Sequence, residues 1–506
     1  MSDSRTKIFI LNSSAALMFQ VFSVLSGFIV PKVMMEVYGS EINGLIVSIT
    51  QFISYFSLVE AGISGATVYA LYKPLADRNI KHINGIIVAA RNFYYKSGYI
   101  FTSLVFVLGL LFPLFVKTDK LSFYEVAFLV IILGVSGILD FFILAKYQSL
   151  LIADQKNYII SLSSTVSVII NTFIIVVLSI CNMDIVLVRL VALLSVLFKS
   201  FIVYVYVMKT YRYLNYTEMA LNEALDKRWD ALFLQILGVV QNGAPIILVT
   251  FLESLKMVSV YSIYNLVMAG TNSVLNVFIS GLSASFGHII AQDDEDLLKR
   301  VYKEFEGMYY ILIACVYSVA GALITPFVCW YTKNVSDMNY DMPWMGGLLV
   351  INGFLFNLKT PQGMMVISAG LYRETRRQSL IQAVIVAVGG FVFGMYAGVG
   401  GVIAGSILAN LYRDIELAFF IPRNLIHIRP AETIKRMSVC CIMLTVSYMP
   451  SLYMNIYINN IVDLLGYTIM WLIYSMVCAF IVLYIMEKDL ICMIKEKYIS
   501  KMRRKY

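Results

Sequence analysis

Ionisable side chains lie inside long apolar runs of this 506-residue chain, among them Lys32, Glu60, Asp140, Arg189, Lys199, Lys359, Arg413 and Glu416. Exposing such a group to lipid near the bilayer centre costs about 3 kcal/mol or more, so it normally faces a bundle interior or a watery cavity. Carboxylates and cations placed this way can form and break ion pairs. The cations can hold a phosphate, and the carboxylates can take up a proton or a sodium ion. Hydrolytic and metal chemistry are poorly provided for. The histidines number three (His82, His288, His427) and are dispersed; the seven cysteines contain no CxxC pair and read as small buried apolar residues. No HExxH and no GxxxxGK[ST] occurs. The expectation is therefore no enzyme, no metal, no cofactor and no ATP hydrolysis by this chain, with a proton or sodium ion left open as coupling ion.

The elements that must position these groups are membrane spans. The chain is 60% hydrophobic and 14% charged, with a mean hydropathy of +0.79, too little polar surface for a soluble protein of this length. A span needs roughly 20 apolar residues. Fourteen runs qualify: 8–35, 44–72, 96–117, 123–146, 158–182, 184–208, 231–253, 257–291, 307–331, 343–370, 380–399, 401–421, 434–457 and 463–486. They are continuous, unlike the ten-residue alternation of a membrane barrel. The predicted fold is an all-α polytopic membrane protein of about fourteen transmembrane helices. The start MSDSRTKIFILN shows no small-residue cleavage site, so the first span is expected to be retained.

Of the 39 Lys and Arg residues, thirty fall in connections on the side of the N-terminus, four (Lys117, Lys120, Lys256, Lys333) on the other side and five within spans. This asymmetry predicts that both termini are cytoplasmic. The net charge of +8 thus reports topology, and no nucleic-acid partner is expected. The longest cytoplasmic connection among the first twelve spans, 209–230, divides 1–208 (spans 1–6) from 231–421 (spans 7–12), leaving 422–506 as two further spans and a basic tail. Within the connection, Leu221, Leu225 and Trp229 are spaced for a surface helix. A weak internal repeat sets residues 35–48 against 252–265, the kind of symmetry common among secondary transporters.

Every even-numbered span runs inward, so depth can be counted. Glu60, Asp140, Lys199, Asn272, Lys359 and Glu416 each lie 15–17 residues from the outer end of their span, roughly 22–26 Å along a helix. Each even helix of the two halves thus places one polar group at one level, in the cytoplasmic third of the bilayer. Acids of one half meeting bases of the other would make an inner gate. The alternatives are snorkelling to the interface and an i, i+3 pairing of Arg413 with Glu416, which account for the cations more easily than for the acids. Lys359 lies in FNLKTPQGMM, where Pro361 should break the helix. Lys32 either pairs with Glu36 at i, i+4 and snorkels outward or lines a cationic cavity, and Arg189 has a similar choice. Asn242, Asn272 and Asn276 are candidates for sugar hydroxyls or for bonds between helices. In FSLVEAGISGA, Gly62 and Gly65 are expected to admit a close neighbour beside Glu60.

The segment from Phe28 to Asn79 carries Tyr38-Gly39, Gly44, the Leu58-to-Gly62 stretch and Tyr72-Lys73-Pro74-Leu75-Ala76. It resembles the N-terminal signature of the Wzx-like polysaccharide and oligosaccharide flippases, members of the multidrug/oligosaccharidyl-lipid/polysaccharide exporter superfamily. The resemblance implies two six-helix lobes in a V with two peripheral C-terminal helices. It implies translocation of a polyprenyl-pyrophosphate-linked oligosaccharide to the outer leaflet of a bacterial inner membrane, for surface polysaccharide of the O-antigen or capsule kind. Membrane lipid and polysaccharide polymerase or assembly proteins are the implied partners. In that setting Lys32, Arg189, Lys199, Lys359 and Arg413 would line the cavity for the pyrophosphate, and Glu60, Asp140 and Glu416 would gate or couple. The rivals are an ion-coupled multidrug exporter of the same superfamily and, less well supported, a membrane polymerase or ligase. The latter needs sizeable outer loops, and here those contain no Arg and no His.

Overall fold

The computed structural model describes residues 2–60, 62–221, 228–279, 282–292, 294–454 and 456–487, and all regular structure among them is helical. Chain contacts separate two compact units, Met1–Ser259 and Val260–Tyr506. The first holds α1 (Ser2–Tyr38), α2 (Ser40–Phe56), α3 (Ile63–Ala76), α4 (Ile80–Phe115), α5 (Phe123–Leu139), α6 (Ala145–Ala153), α7 (Asn157–Ile180), α8 (Ile185–Thr210), α9 (Arg228–Leu252) and the start of α10 (Leu255–Ile279). The second holds the rest of α10, then α11 (Leu282–Ala291), α12 (Glu295–Tyr331), α13 (Pro343–Leu358), α14 (Thr360–Ser368), α15 (Tyr372–Val384), α16 (Gly390–Ile421), α17 (Pro430–Tyr448) and α18 (Ile461–Met486).

Helix starts follow local chemistry. Ser122 and Glu125 form a reciprocal capping box before α5. Asn79, Asp184, Asp294 and Asn460 each accept a backbone N–H in the first turn of the helix that follows them. Nine helical stretches among the described residues are long and apolar enough to cross a membrane, and the protein is a multi-pass membrane protein. The remaining expected spans coincide with interrupted or less apolar helices. Span ten is the pair α13/α14, interrupted at Lys359; span eight covers α10 and α11, with 280–281 outside the described residues; span thirteen, α17, carries Lys435 and Arg436. The stretch Tyr372–Ile426 is a hairpin, because Ala397 and Gly398 leave helical geometry (Gly398 φ 56°). A Cβ on Gly401 would overlap the Phe393 carbonyl, and one on Gly405 would overlap the Gly390 backbone, so the limbs touch main chain to main chain.

The unit boundary falls one helix beyond the connection 209–230. The reason is that α9 and the start of α10 pack on α2. Ser48 Oγ and Thr250 Oγ1 share a 2.8 Å hydrogen bond, and Asn43 Nδ2 donates to Ser259 Oγ at 2.8 Å. Gly44 lies so close to the Leu255 carbonyl that no side chain fits between them. Of the expected surface helix over Leu221, Leu225 and Trp229, Leu221 is not helical, Trp229 stands in the first turn of α9, and 222–227 lie outside the described residues. Residues 211–221 are irregular because α4 holds them individually. Asn84 bonds the Tyr213 carbonyl and the Asn215 N–H, and the Leu221 N–H donates to Gly85 O at 3.1 Å. Leu225, the Trp229 side chain and the basic tail 488–505 lie outside the described residues.

Three apolar layers stack in the first unit. One, around Leu45, Ile49, Leu129 and Val188, lies toward the connections poor in Lys and Arg. Another, around Leu71, Ile87, Leu150 and Val207, lies toward the basic ones. Between them a small layer of Ile63, Tyr94, Phe101 and Phe141 sits at the level of Glu60 and Asp140. In the second unit α17 and α18 pack on α12, with Trp471 against Ala322 and Leu323.

Candidate functional site: charged groups at helix breaks

Three of the charged residues sit where their span stops being an α-helix. Before Glu60, α2 gives way to a 3₁₀ turn, Ser57–Glu60, and Gly62 (φ 82°) reverses the backbone before α3. Such a φ is readily available to glycine alone. Gly62 therefore serves the break, and Gly65 has nothing within 4 Å of where a Cβ would stand. The expectation of a close neighbouring helix is corrected at Gly65. Asp140 opens a π-helical turn, Asp140–Leu144, between α5 and α6, a feature common at functional sites. Lys359 is the single residue between α13 and α14, and Pro361 follows it at the start of α14. Proline has no N–H to continue the ladder, so the break anticipated from FNLKTPQGMM is present. Irregular backbone at membrane depth is tolerated where it is buried in protein or lines a wet cavity.

In the first unit Asp140 Oδ1 lies 3.7 Å from Lys199 Nζ, and the Asp140 side chain is 48% exposed. Glu60 makes no ion pair among the described residues; its electrostatic neighbours are Asp140 and Tyr94. Asp140 thus stands between Lys199 and Glu60, so protonating or unpairing it changes the field at Glu60. Arg189 lies elsewhere on α8, near the Tyr38 end, with Nε buried and unbonded. Lys32, on α1, is half-buried. Asn242 is exposed, and its Nδ2 donates to Gly238 O in its own helix.

The second unit builds a denser network. Lys359 Nζ donates to Asn410 Oδ1 at 2.8 Å and stands 4.7 Å from the Phe356 ring centroid. Asn410 Oδ1 also receives Gln382 Nε2 at 3.2 Å, and Asn410 Nδ2 donates to Asn352 Oδ1 at 3.0 Å. One turn along α16, Asp414 is 2% exposed, neither of its oxygens is hydrogen-bonded, and its electrostatic partner is Lys359. Arg413 pairs with Glu416 at 2.5 Å, the local i, i+3 bond. Asn272 Oδ1 accepts from Tyr317 Oη at 3.0 Å and Asn357 Nδ2 at 2.8 Å, while Asn276 is exposed.

The anticipated level thus resolves into one cluster per unit: Glu60, Asp140 and Lys199 in the first; Lys359, Arg413 and Glu416, with Asn272 bonded to nearby Asn357, in the second. Lys32, Arg189, Asn242 and Asn276 join neither among the described contacts. Asp414, Asn410, Gln382 and Asn352 were not anticipated. Their signal is the i, i+4 spacing of Asn410 and Asp414 within LANLYRDIELAFF, masked by the more conspicuous Arg413 and Glu416. A second missed network is buried beside it. Glu306, fully buried, binds Arg436 at 2.8 Å, and Gln362 Nε2 reaches Glu306, Tyr302 and Tyr310, each at 3.0 Å. It ties α12, α14 and α17 together. No group of His, Cys, Asp and Glu able to hold a metal occurs among the described residues.

Solved structures share this architecture. An inward-facing multidrug resistance MATE family transporter of the MOP superfamily aligns with TM-score 0.63 at 14% identity, over 85% of this chain and 98% of its own. Lipid II flippase MurJ in an inward closed conformation aligns with TM-score 0.67 at 15% identity, over 95% of this chain and all of its own (100%). A MATE in a bent conformation gives TM-score 0.57 at 15% identity over 85% and 99%. No family model and no curated protein matches the sequence. The chain has the fold these transporters share.

Proposed function

We propose that this chain is a flippase of that superfamily, moving a polyprenyl-pyrophosphate-linked oligosaccharide from the cytoplasmic to the outer leaflet by alternating access. It would act in a bacterial inner membrane with both termini cytoplasmic, in surface polysaccharide synthesis, beside the polymerase or assembly proteins that take its product. The observation that carries the reading is Lys359, a cation at a helix break bound to an amide and facing a carboxylate that nothing else satisfies. A pyrophosphate is a stronger acceptor than the Asn410 amide and would draw the ammonium away. Asp414, left without its countercharge, would then take up a proton from water or a monovalent cation, and would release it when Lys359 returns. Asp140 and Glu60 offer the first unit a comparable exchange around Lys199. Asn242 and Asn276, both exposed, remain available to sugar hydroxyls.

Deleting the gene and profiling lipids from each leaflet tests this. One polyprenyl-linked oligosaccharide should accumulate on the cytoplasmic side, and its glycan names the substrate. Unchanged glycolipids with altered drug sensitivity would instead favour a multidrug exporter, the reading that the MATE likeness supports.

A further inference from the structure

Arg91 on α4 and Lys146 on α6 surround the same two tyrosine rings without any acid. Lys146 is 8% exposed. Its ammonium lies 5.3, 5.0 and 5.6 Å from the ring centroids of Tyr95, Tyr147 and Tyr216, and the Arg91 guanidinium lies 6.0 and 5.2 Å from those of Tyr95 and Tyr216. Among the described residues no carboxylate pairs with either cation; Asp140, the acid on the neighbouring π turn, is taken by Lys199. Burying a charge is costly unless something compensates it, and contact with a tyrosine face returns only about 0.5–2 kcal/mol. Two such charges around shared rings also repel each other.

Hydrogen-bond donors are in the same surplus. Arg91 Nε is buried and bonded to nothing. Lys146 reaches one oxygen, the Tyr95 hydroxyl, at 3.4 Å. The Tyr147 and Tyr216 hydroxyls share one hydrogen bond of 3.2 Å, which uses one of their two protons. A group of donors, two of them cationic, with only neutral hydroxyl oxygens to accept from them is the complement of a multiply charged oxyanion. The walls are fixed: Tyr216 belongs to the segment that Asn84 anchors to α4 through Tyr213 and Asn215. The site lies toward the connections rich in Lys and Arg, apart from the Glu60, Asp140 and Lys199 cluster.

We propose that Arg91 and Lys146, with the hydroxyls of Tyr95, Tyr147 and Tyr216, form a binding site for a phosphate or pyrophosphate group. The group is either that of a lipid headgroup or free in solution. The site stands whether or not the chain moves lipid.

The test uses the full chain in nanodiscs of phosphatidylcholine, titrated calorimetrically with inorganic pyrophosphate, and in nanodiscs containing 20% phosphatidylglycerol, followed by mass spectrometry of retained lipid. Binding in either arm should fall at least tenfold in R91Q/K146Q and persist in K96Q, a change of an exposed lysine on the same helix. Loss in the pyrophosphate arm assigns a free phosphate, and loss in the lipid arm alone assigns a headgroup. Because the double variant removes one buried and one half-buried group, Y95F is measured beside it. Keeping the ring but losing the hydroxyl, Y95F should weaken binding severalfold with an unchanged melting temperature. Wild-type binding by both R91Q/K146Q and Y95F, equal loss in K96Q, or no binding of either probe by the unmodified chain would overturn the proposal.

Discussion

Asp414 depends on one neighbour. It is buried, and Lys359 is the group that compensates it, so K359Q should destabilise the protein by about 3–5 kcal/mol through the stranded charge. D414N added to K359Q should restore much of the melting temperature in detergent, and a double variant no more stable than K359Q would show that the pair is not coupled. Asp140 behaves differently. Its 3.7 Å contact to Lys199 is long and its side chain half-exposed, a geometry worth about 0–1 kcal/mol. D140N should therefore keep the wild-type melting temperature while flipping of labelled substrate in vesicles drops at least tenfold. A variant that flips at the normal rate would remove Asp140 from the mechanism. Glu60, Asp140, Lys199 and Lys359 were legible in the sequence because each stands alone in an apolar run. Asp414 was not, because it shares three residues of sequence with a self-sufficient pair.

At the scale of the helix, charge and backbone geometry coincide. The break at Lys359 was readable from Pro361, since a missing N–H is a property of one residue. The 3₁₀ turn and the reversal at Gly62 were not, since a glycine in an apolar run fits close packing equally well and only its φ of 82° decides. The π turn at Asp140 has no composition signal at all. Gly62→Ala should cost about 1–2 kcal/mol by forcing a side chain into the left-handed region. A melting temperature equal to wild type would mean that the turn relaxes without penalty. Gly405 is stricter, because a side chain there collides with main chain. Gly405→Leu should separate the limbs of the Tyr372–Ile426 hairpin and make it cleavable by limited proteolysis, and an unchanged cleavage pattern would argue against that contact. The connection 211–221 shows the converse limit. Its spacing read as helical, yet backbone bonds to Asn84 and Gly85 prevailed over periodicity.

For the whole molecule, the span boundaries were readable because twenty apolar residues and a count of Lys and Arg are properties of composition. How helices group was less so. The partition at Ser259 follows the packing of α9 and the start of α10 on α2, through Ser48 with Thr250, Asn43 with Ser259 and Gly44 against Leu255, which no periodicity announces. The proposed orientation puts the turn after α7 outside the cell, and Cys181 in that turn is exposed. A membrane-impermeant maleimide should therefore label Cys181 in intact cells, and labelling that requires permeabilisation would invert the topology. The added helices are also tied in by charge. R436A should cost about 3–5 kcal/mol by leaving Glu306 buried and unpaired, whereas replacing both partners by methionine should melt near wild type. Equal losses in the two variants would deny the pairing.

Helix interruptions at Ser57–Gly62 and at Lys359 also make the protein readable by deuterium. Continuous spans keep their amides in an unbroken i→i+4 ladder and exchange slowly, whereas a broken ladder leaves main-chain groups open to any water that arrives. Peptides covering these two breaks should take up deuterium ahead of the helices on either side. Each would act as a built-in hydration gauge, reporting when water reaches that level of its own unit without any attached probe.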